Sequence, residues 1–267
     1  MTCIFCKLDS SKSHSVEHII PESLGNTEHV LTAGIVCDKC NNYFSNHVEG
    51  PLLADPYFAE QRFRATLISK KGKPPRVRGL HLQSRIELEL FPNLDGSGIS
   101  VGTANEKHET VWVESILKRS GAGSFVIPIP AAPSESLMSR FLAKLALECL
   151  ALRLANVEGG IDEIASKPEL DPIRNHARRG FPNNWPFHSR RLYPPDFAFV
   201  ETGQPPYEVL HEWTLLYEDN RFLYLVVAIF GAEYAINMGE PEIATYETWL
   251  SENGQSSPLY PNGLLPR

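Results

Sequence analysis

Cys3-Ile4-Phe5-Cys6, Ser15-Val16-Glu17-His18-Ile19-Ile20-Pro21 and Cys37-Asp38-Lys39-Cys40-Asn41-Asn42-Tyr43-Phe44-Ser45 are the stretches whose reading decides the fold. Each Cys-x-x-Cys pair lets one backbone turn present two sulfurs to a single ion, and 30 residues separate the two pairs. Together they can close a tetrahedral Cys₄ zinc site, against the alternative of reduced or redox-active thiols. With all four positions filled by cysteine such a site is structural, because no position is left open for water. The fifth cysteine, Cys149, lies in an apolar helical pattern and reads as a small buried hydrophobe.

Outward from these stretches, His14 to Ile20 alternates enough to be a strand ended by Pro21. Cys37 to Val48 reads as a helix closed by Gly50-Pro51. Residues 1–53 thus form one unit. Residues 54–79 read as a connector, with a short helical segment at Tyr57 to Leu67 and a Lys-Lys-Gly-Lys-Pro-Pro run.

Residues 80–267 read as an α+β domain. Leu80, Leu82, Ile86, Leu88 and Leu90 share one parity and read as one face of a strand, and Asn93-Leu94-Asp95-Gly96 turns it into Ile99 to Val101. Val111 to Leu117 and Phe125 to Ile129 read as further strands. Ser136 to Ala155 is the clearest helix, with Phe141, Leu142, Leu145, Cys149 and Leu152 at helical spacing and a Gly159-Gly160 stop. Residues 156–195 read as a short helix with long loops. Glu208 to Tyr217, Phe222 to Phe230 and Tyr234 to Met238 suggest an antiparallel meander. The fold class is therefore α+β: a zinc-stapled N-terminal module, then a domain with antiparallel strands and one long helix.

The 267 residues are 42% hydrophobic and 21% charged, a globular composition. No apolar run reaches the length of a bilayer span, and the N-terminus has neither the basic nor the apolar region of a signal peptide, so a cytoplasmic protein with no membrane partner is expected. The net charge of −7 is unevenly spread. Gln61 to Ile86 holds Arg62, Arg64, Lys70, Lys71, Lys73, Arg76, Arg78 and Arg85 with no carboxylate. Pro172 to Pro195 holds Arg174, Arg178, Arg179, Arg190 and Arg191, also with none. These are candidate surfaces for a polyanion, or else solvated loops.

In this order and at these distances, the two knuckles, Glu-His-Ile-Ile-Pro and Cys-Asn-Asn resemble the HNH endonuclease family, in the subset whose ββα-metal, treble-clef-like fold is stapled by a Cys₄ zinc. The resemblance covers about residues 3 to 50. It implies a metal-dependent nuclease that cleaves phosphodiester bonds of nucleic acid, DNA rather than RNA, with structural Zn²⁺ on Cys3, Cys6, Cys37 and Cys40. It further implies His18 as general base, and Glu17 with Asn41 as ligands of a catalytic Mg²⁺ or Mn²⁺. The chemistry agrees: imidazole is a suitable base near neutral pH, and oxygen ligands suit hard divalent ions. Glu17 stands where the family more often has Asp. For the residue that orients the base, Thr32 and Asn26 are the nearest matches, and Asn42 and His47 are further candidates near the metal.

Arg62, Arg64, Lys70, Lys71 and Lys73 are the expected phosphate contacts. Relatives of this kind are often bacterial or phage nucleases, some serving in defence, which leaves self-association and partner proteins open. The competing expectation is a zinc-stapled nucleic-acid-binding module without catalysis.

Overall fold

The computed structural model describes residues 1–69, 72–118, 124–200, 203, 205–218 and 222–263. The chain divides into two compact units. One joins Met1–Leu52 to Ser134–Arg267, and the other is Leu53–Pro133. The expectation of separate segments 1–53, 54–79 and 80–267 is thereby revised. The N-terminal module shares its core with the C-terminal half, and the former connector and first hairpin make the second unit.

In the first unit, β1 (Glu17–His18) pairs antiparallel with β2 (Val30–Leu31), Glu17 opposite Leu31 and His18 opposite Val30. The strand expected over His14–Ile20 is thus only two residues long. The loop between β1 and β2 is held by the fully buried Asn26. Its Nδ2 donates to Ile20 O (2.8 Å) and His29 O (2.9 Å), while its Oδ1 accepts from Glu28 N (3.1 Å) and His29 N (2.9 Å). One side chain bonds four backbone groups beside the short strands, of which His29 O also accepts from Ile19 N (3.1 Å).

α1 (Asp38–Phe44) starts directly after Cys37, with Asp38 in its first turn, where a carboxylate complements the helix dipole. The helix does not close at Gly50-Pro51. It passes through a π-turn, Ser45–Glu49, into α2 (Gly50–Ala54), with Gly50 N bonded to Ser45 O. Pro51 has no N–H to give and its ring would clash with the carbonyl four residues back, and the wider turn accommodates both.

The second unit holds α3 (Pro56–Arg64), β3 (Val77–His81), β4 (Glu87–Pro92), β5 (Ile99–Thr103), α4 (Glu109–Lys118) and β6 (Phe125–Val126). Its antiparallel sheet has the order β5-β4-β3-β6. The Leu80–Leu90 run is not one strand but a hairpin. Val77 faces Leu90 across the β3–β4 ladder, and Ile86, Leu88 and Leu90 join Val77 in the core while Leu80 and Leu82 are exposed. The strand expected over Val111–Leu117 is helical. Asn105 caps the turn before it by accepting from Lys107 N, and Trp112 meets the His81 ring at 4.8 Å. A β-branched run yields to a cap and one partly buried aromatic.

The rest of the first unit is built around α5 (Glu135–Leu154), which packs against α6 (Gly160–Ser166), α7 (Asp171–Arg179) and a second sheet. That sheet contains β7 (Phe187–Arg191); after the small β8–β9 pair (Ala198–Phe199 and Tyr207–Glu208) come β10 (His211–Glu218), β11 (Phe222–Ile229) and β12 (Ala232–Asn237), and α8 (Ala244–Glu252) ends the order of elements. The meander is extended to four strands, in the order β10-β11-β12-β7. Phe230 and Gly231, both at positive φ (49° and 73°), form the two-residue turn that matches the twist of β11 and β12. Asp219 and Asn220, between the first two strands of the expected meander, lie outside the described residues. Cys149 is buried in α5 and its thiol is pushed well above the ordinary range by burial, which fits a packing role. Among the described residues no helix is long and apolar enough to cross a membrane.

Candidate metal centre and active site

The two knuckles approach through backbone bonds. Ile4 N donates to Ile35 O (3.0 Å), Lys7 N closes the first turn on Cys3 O (3.0 Å), and Cys37 N donates to Cys3 Sγ (3.3 Å). The sulfurs of Cys3, Cys6, Cys37 and Cys40 all lie within 4.8 Å of one another. Tetrahedral zinc with bonds of about 2.3 Å sets sulfurs about 3.8 Å apart, so the cluster fits the ion with little rearrangement. Protons shared between the thiols show the same crowding. A hydrogen bond from Cys40 holds the Cys3 pKa at about 4, and that bond pushes Cys40 far upward. A dication relieves this conflict by replacing the protons.

The C-terminal half props the first knuckle. Arg174, nearly fully buried on α7, donates from Nε to Ile4 O (2.6 Å) and from Nη2 to Ile164 O (2.7 Å), with Asp171 on its other nitrogen. Lys7 reaches the same Asp171 at 2.5 Å.

Neighbouring strand residues face opposite ways, and this divides Glu17 from His18. His18 is half-buried, and its Nδ1 is buried with no hydrogen-bond partner among the described residues. Asn41, in the first turns of α1, donates from Nδ2 to Val16 O (3.3 Å). This ties the helix to the strand two residues before His18 and leaves Oδ1 unused by that bond. Glu17 is 5% exposed and turns to the core. There Lys144 Nζ meets Glu17 Oε1 (2.8 Å), Glu49 Oε1 (2.8 Å) and Glu148 Oε2 (2.7 Å).

Burial works against the Lys144 charge, but Glu148, Glu17 and Glu49 outweigh it and hold the ammonium well above the ordinary lysine value. Burial likewise raises Glu17, opposed by Lys144, and raises Glu148 far more. Burial is the largest effect at both the Glu17 and Glu148 carboxyls, and the Lys144 ammonium is the group that opposes it.

The expectation that Glu17 and Asn41 share a divalent ion does not fit this arrangement. The Glu17 carboxylate is sequestered behind the strand, on an ammonium, while Asn41 lies at the junction of α1 and β1. Of the orienting candidates, Asn26 acts on the backbone of the β1–β2 loop, and Thr32 is exposed. Asn42 and His47 are exposed on the helical run, where His47 packs on the Tyr43 ring at 4.7 Å.

Of the expected phosphate contacts, Arg64 is bound to Glu60, Arg62 is half-buried and Lys73 is exposed, while Lys70 and Lys71 lie outside the described residues. The second basic segment is largely structural. Arg174 props the knuckle, Arg190 pairs with the buried Glu233 (2.5 Å) and Arg191 donates to Phe230 O (2.6 Å).

Sequence reading missed Lys144, Glu49 and Glu148. The signal was present: Lys144 and Glu148 stand four residues apart in a helix otherwise apolar on nearly every face. Charges in such a helix must be paired in the core.

Comparison with known proteins bears on this site alone. The model of the HNH endonuclease family matches residues 3–56. No curated protein and no solved structure matches the chain.

Proposed function

We propose, from residues 3–56 as an HNH endonuclease module, that this protein hydrolyses phosphodiester bonds of nucleic acid, DNA in preference to RNA, with His18 as the general base. One observation carries the assignment of the base. His18 is the residue of β1 left half-exposed while its neighbours Glu17 and Ile19 are buried; its Nδ1 is itself buried, without a hydrogen-bond partner among the described residues.

A half-exposed imidazole can take a proton from water as the water attacks phosphorus, provided that a ring nitrogen open to solvent is left unspent. Both ring nitrogens cannot be tied to backbone if one is to do so. The Cys₄ zinc holds the turn before β1 and the start of α1 together, so that the base and the Asn41 amide keep a fixed separation. Zinc here supplies rigidity and folding free energy rather than an activated water, because four thiolates leave it no open position. A requirement for Mg²⁺ or Mn²⁺ is the family's expectation, and cleavage assays address it directly.

The test is plasmid and RNA cleavage by the zinc-loaded chain with Mg²⁺, Mn²⁺ or EDTA, comparing the parent with His18→Ala. The expected loss is roughly 10²- to 10⁴-fold, the usual share of a general base, at unchanged zinc content and melting temperature. Equal cleavage by the variant rejects His18 as the base. A parent that binds but cuts no nucleic acid with any ion favours the alternative of a zinc-stapled binding module.

A further inference from the structure

We infer that Lys144 of α5, not a catalytic divalent ion, is the cation bound by Glu17, and that through this grip Lys144 positions the strand carrying His18. This rests on the reading of His18 as the base. Three observations carry it.

Lys144 Nζ holds both flanks of His18, the Glu17 carboxylate on one side (2.8 Å) and the Ile19 carbonyl on the other (3.4 Å). A two-residue strand has little ladder of its own, so these bonds set how β1 sits on α5 and which way His18 is turned.

The lysine itself is entirely buried and its position is fixed from three directions. Glu148 comes from the next turn of α5, Glu17 from β1, and Glu49 from the π-turn. The π-turn matters here. One extra residue rotates the side chains that follow it by about 100° about the helix axis, and Glu49 is the last residue of that turn.

The charges also exclude a second cation. A divalent ion on Glu17 would have to enter a core where a lysine ammonium already fills the point on which the carboxylates converge. It would meet that ammonium at close range in low dielectric. Lys144 is outside residues 3–56, so this part of the site lies beyond the stretch that the family model matches. The nuclease module is complete only when the C-terminal half has folded onto it.

The experiment uses the full zinc-loaded chain with Glu17→Gln and Lys144→Met. Gln keeps the shape of Glu17 and an oxygen for Lys144. Mn²⁺ binding, read by calorimetry and by the electron-spin signal of the ion, should therefore stay within about two-fold of the parent, where loss of a carboxylate ligand would weaken it tenfold or more. Lys144→Met should lower kcat with KM and Mn²⁺ affinity unchanged, and adding Glu17→Gln to it should cost no further activity. Because the methionine leaves Glu17 and Glu148 with no cation to oppose burial, their carboxyls, already raised in the parent, rise further. The variant's melting temperature should fall as pH goes from about 5.5 to 8, more steeply than the parent's.

A tenfold loss of Mn²⁺ affinity in Glu17→Gln overturns the inference, as does a Lys144→Met chain with parental kcat and parental pH dependence of melting. If the parent cuts nothing, the nuclease reading fails by itself. The Mn²⁺ and melting measurements then still decide which cation Glu17 holds.

Discussion

Replacing Asn26 separates the contribution of backbone anchoring from that of the base itself. Asn26→Ala removes four hydrogen bonds at 2.8–3.1 Å, two given and two accepted, at a side chain with no exposure. A buried hydrogen bond contributes about 0.5–1.5 kcal/mol net. Water can reach the Glu28 amide, so the total comes to roughly 2–4 kcal/mol rather than the full sum.

Asn26→Asp is the sharper perturbation. It keeps the acceptor for Glu28 N and His29 N but turns the donor toward Ile20 O and His29 O into a second acceptor. In the folded chain, burial against two carbonyls raises that carboxyl above its unfolded value near ~3.9. A raised folded pKa contributes stability that is present below the unfolded value and is lost as pH rises through the folded one. The deficit of Asn26→Asp should therefore grow as pH rises from about 3 to 7, by about 2.7 kcal/mol in all for a shift of two units and by about 1.2 kcal/mol above pH 5, while that of Asn26→Ala stays flat. Urea titrations of the zinc-loaded chain, followed by tryptophan fluorescence, measure both. An Asn26→Ala deficit under about 1 kcal/mol, or an Asn26→Asp deficit independent of pH, would refute the reasoning.

Elemental analysis should find one zinc per chain, and Cys40→Ser should lose most of it and unfold the N-terminal module at lower urea, as expected when metal binding is folding free energy. Retention of stoichiometric zinc by that variant would show that the four sulfurs do not act as one site. In the basic segment, Lys70, Lys71 and Lys73 changed together to Ala should flatten the dependence of nucleic-acid affinity on salt by about 0.9 in log–log slope for each phosphate no longer neutralised. Arg64→Ala should leave the slope unchanged, because Glu60 already holds that guanidinium. A slope untouched by the triple change would mark the segment as a solvated loop.

Sequence alone determined the features that depend on local spacing and residue chemistry. The Cys-x-x-Cys pairs bring four sulfurs to one place because each knuckle is a single turn, and the pattern needs only one long-range closure. The α5 helix and the β10–β12 meander were legible because apolar periodicity over many residues outweighs local ambiguity. Where the signal was short, tertiary context decided. Val111–Leu117 has strand propensity but became helix once Trp112 had a core to enter. The parity of Leu80 to Leu90 ran through a turn that parity cannot detect.

The site divides in the same way. His18 and Asn41 could be singled out from their neighbours in sequence. The partner of Glu17 could not, because 127 residues separate Lys144 from it and only the packing of α5 on β1 brings them together. A carboxylate on a strand reads as a metal ligand or as half of a buried ion pair, and the two differ only in which face of the strand meets the core. That choice is made by the whole fold. Burying an ionised group is tolerable only where a counter-charge is already in place, and here α5 supplies it.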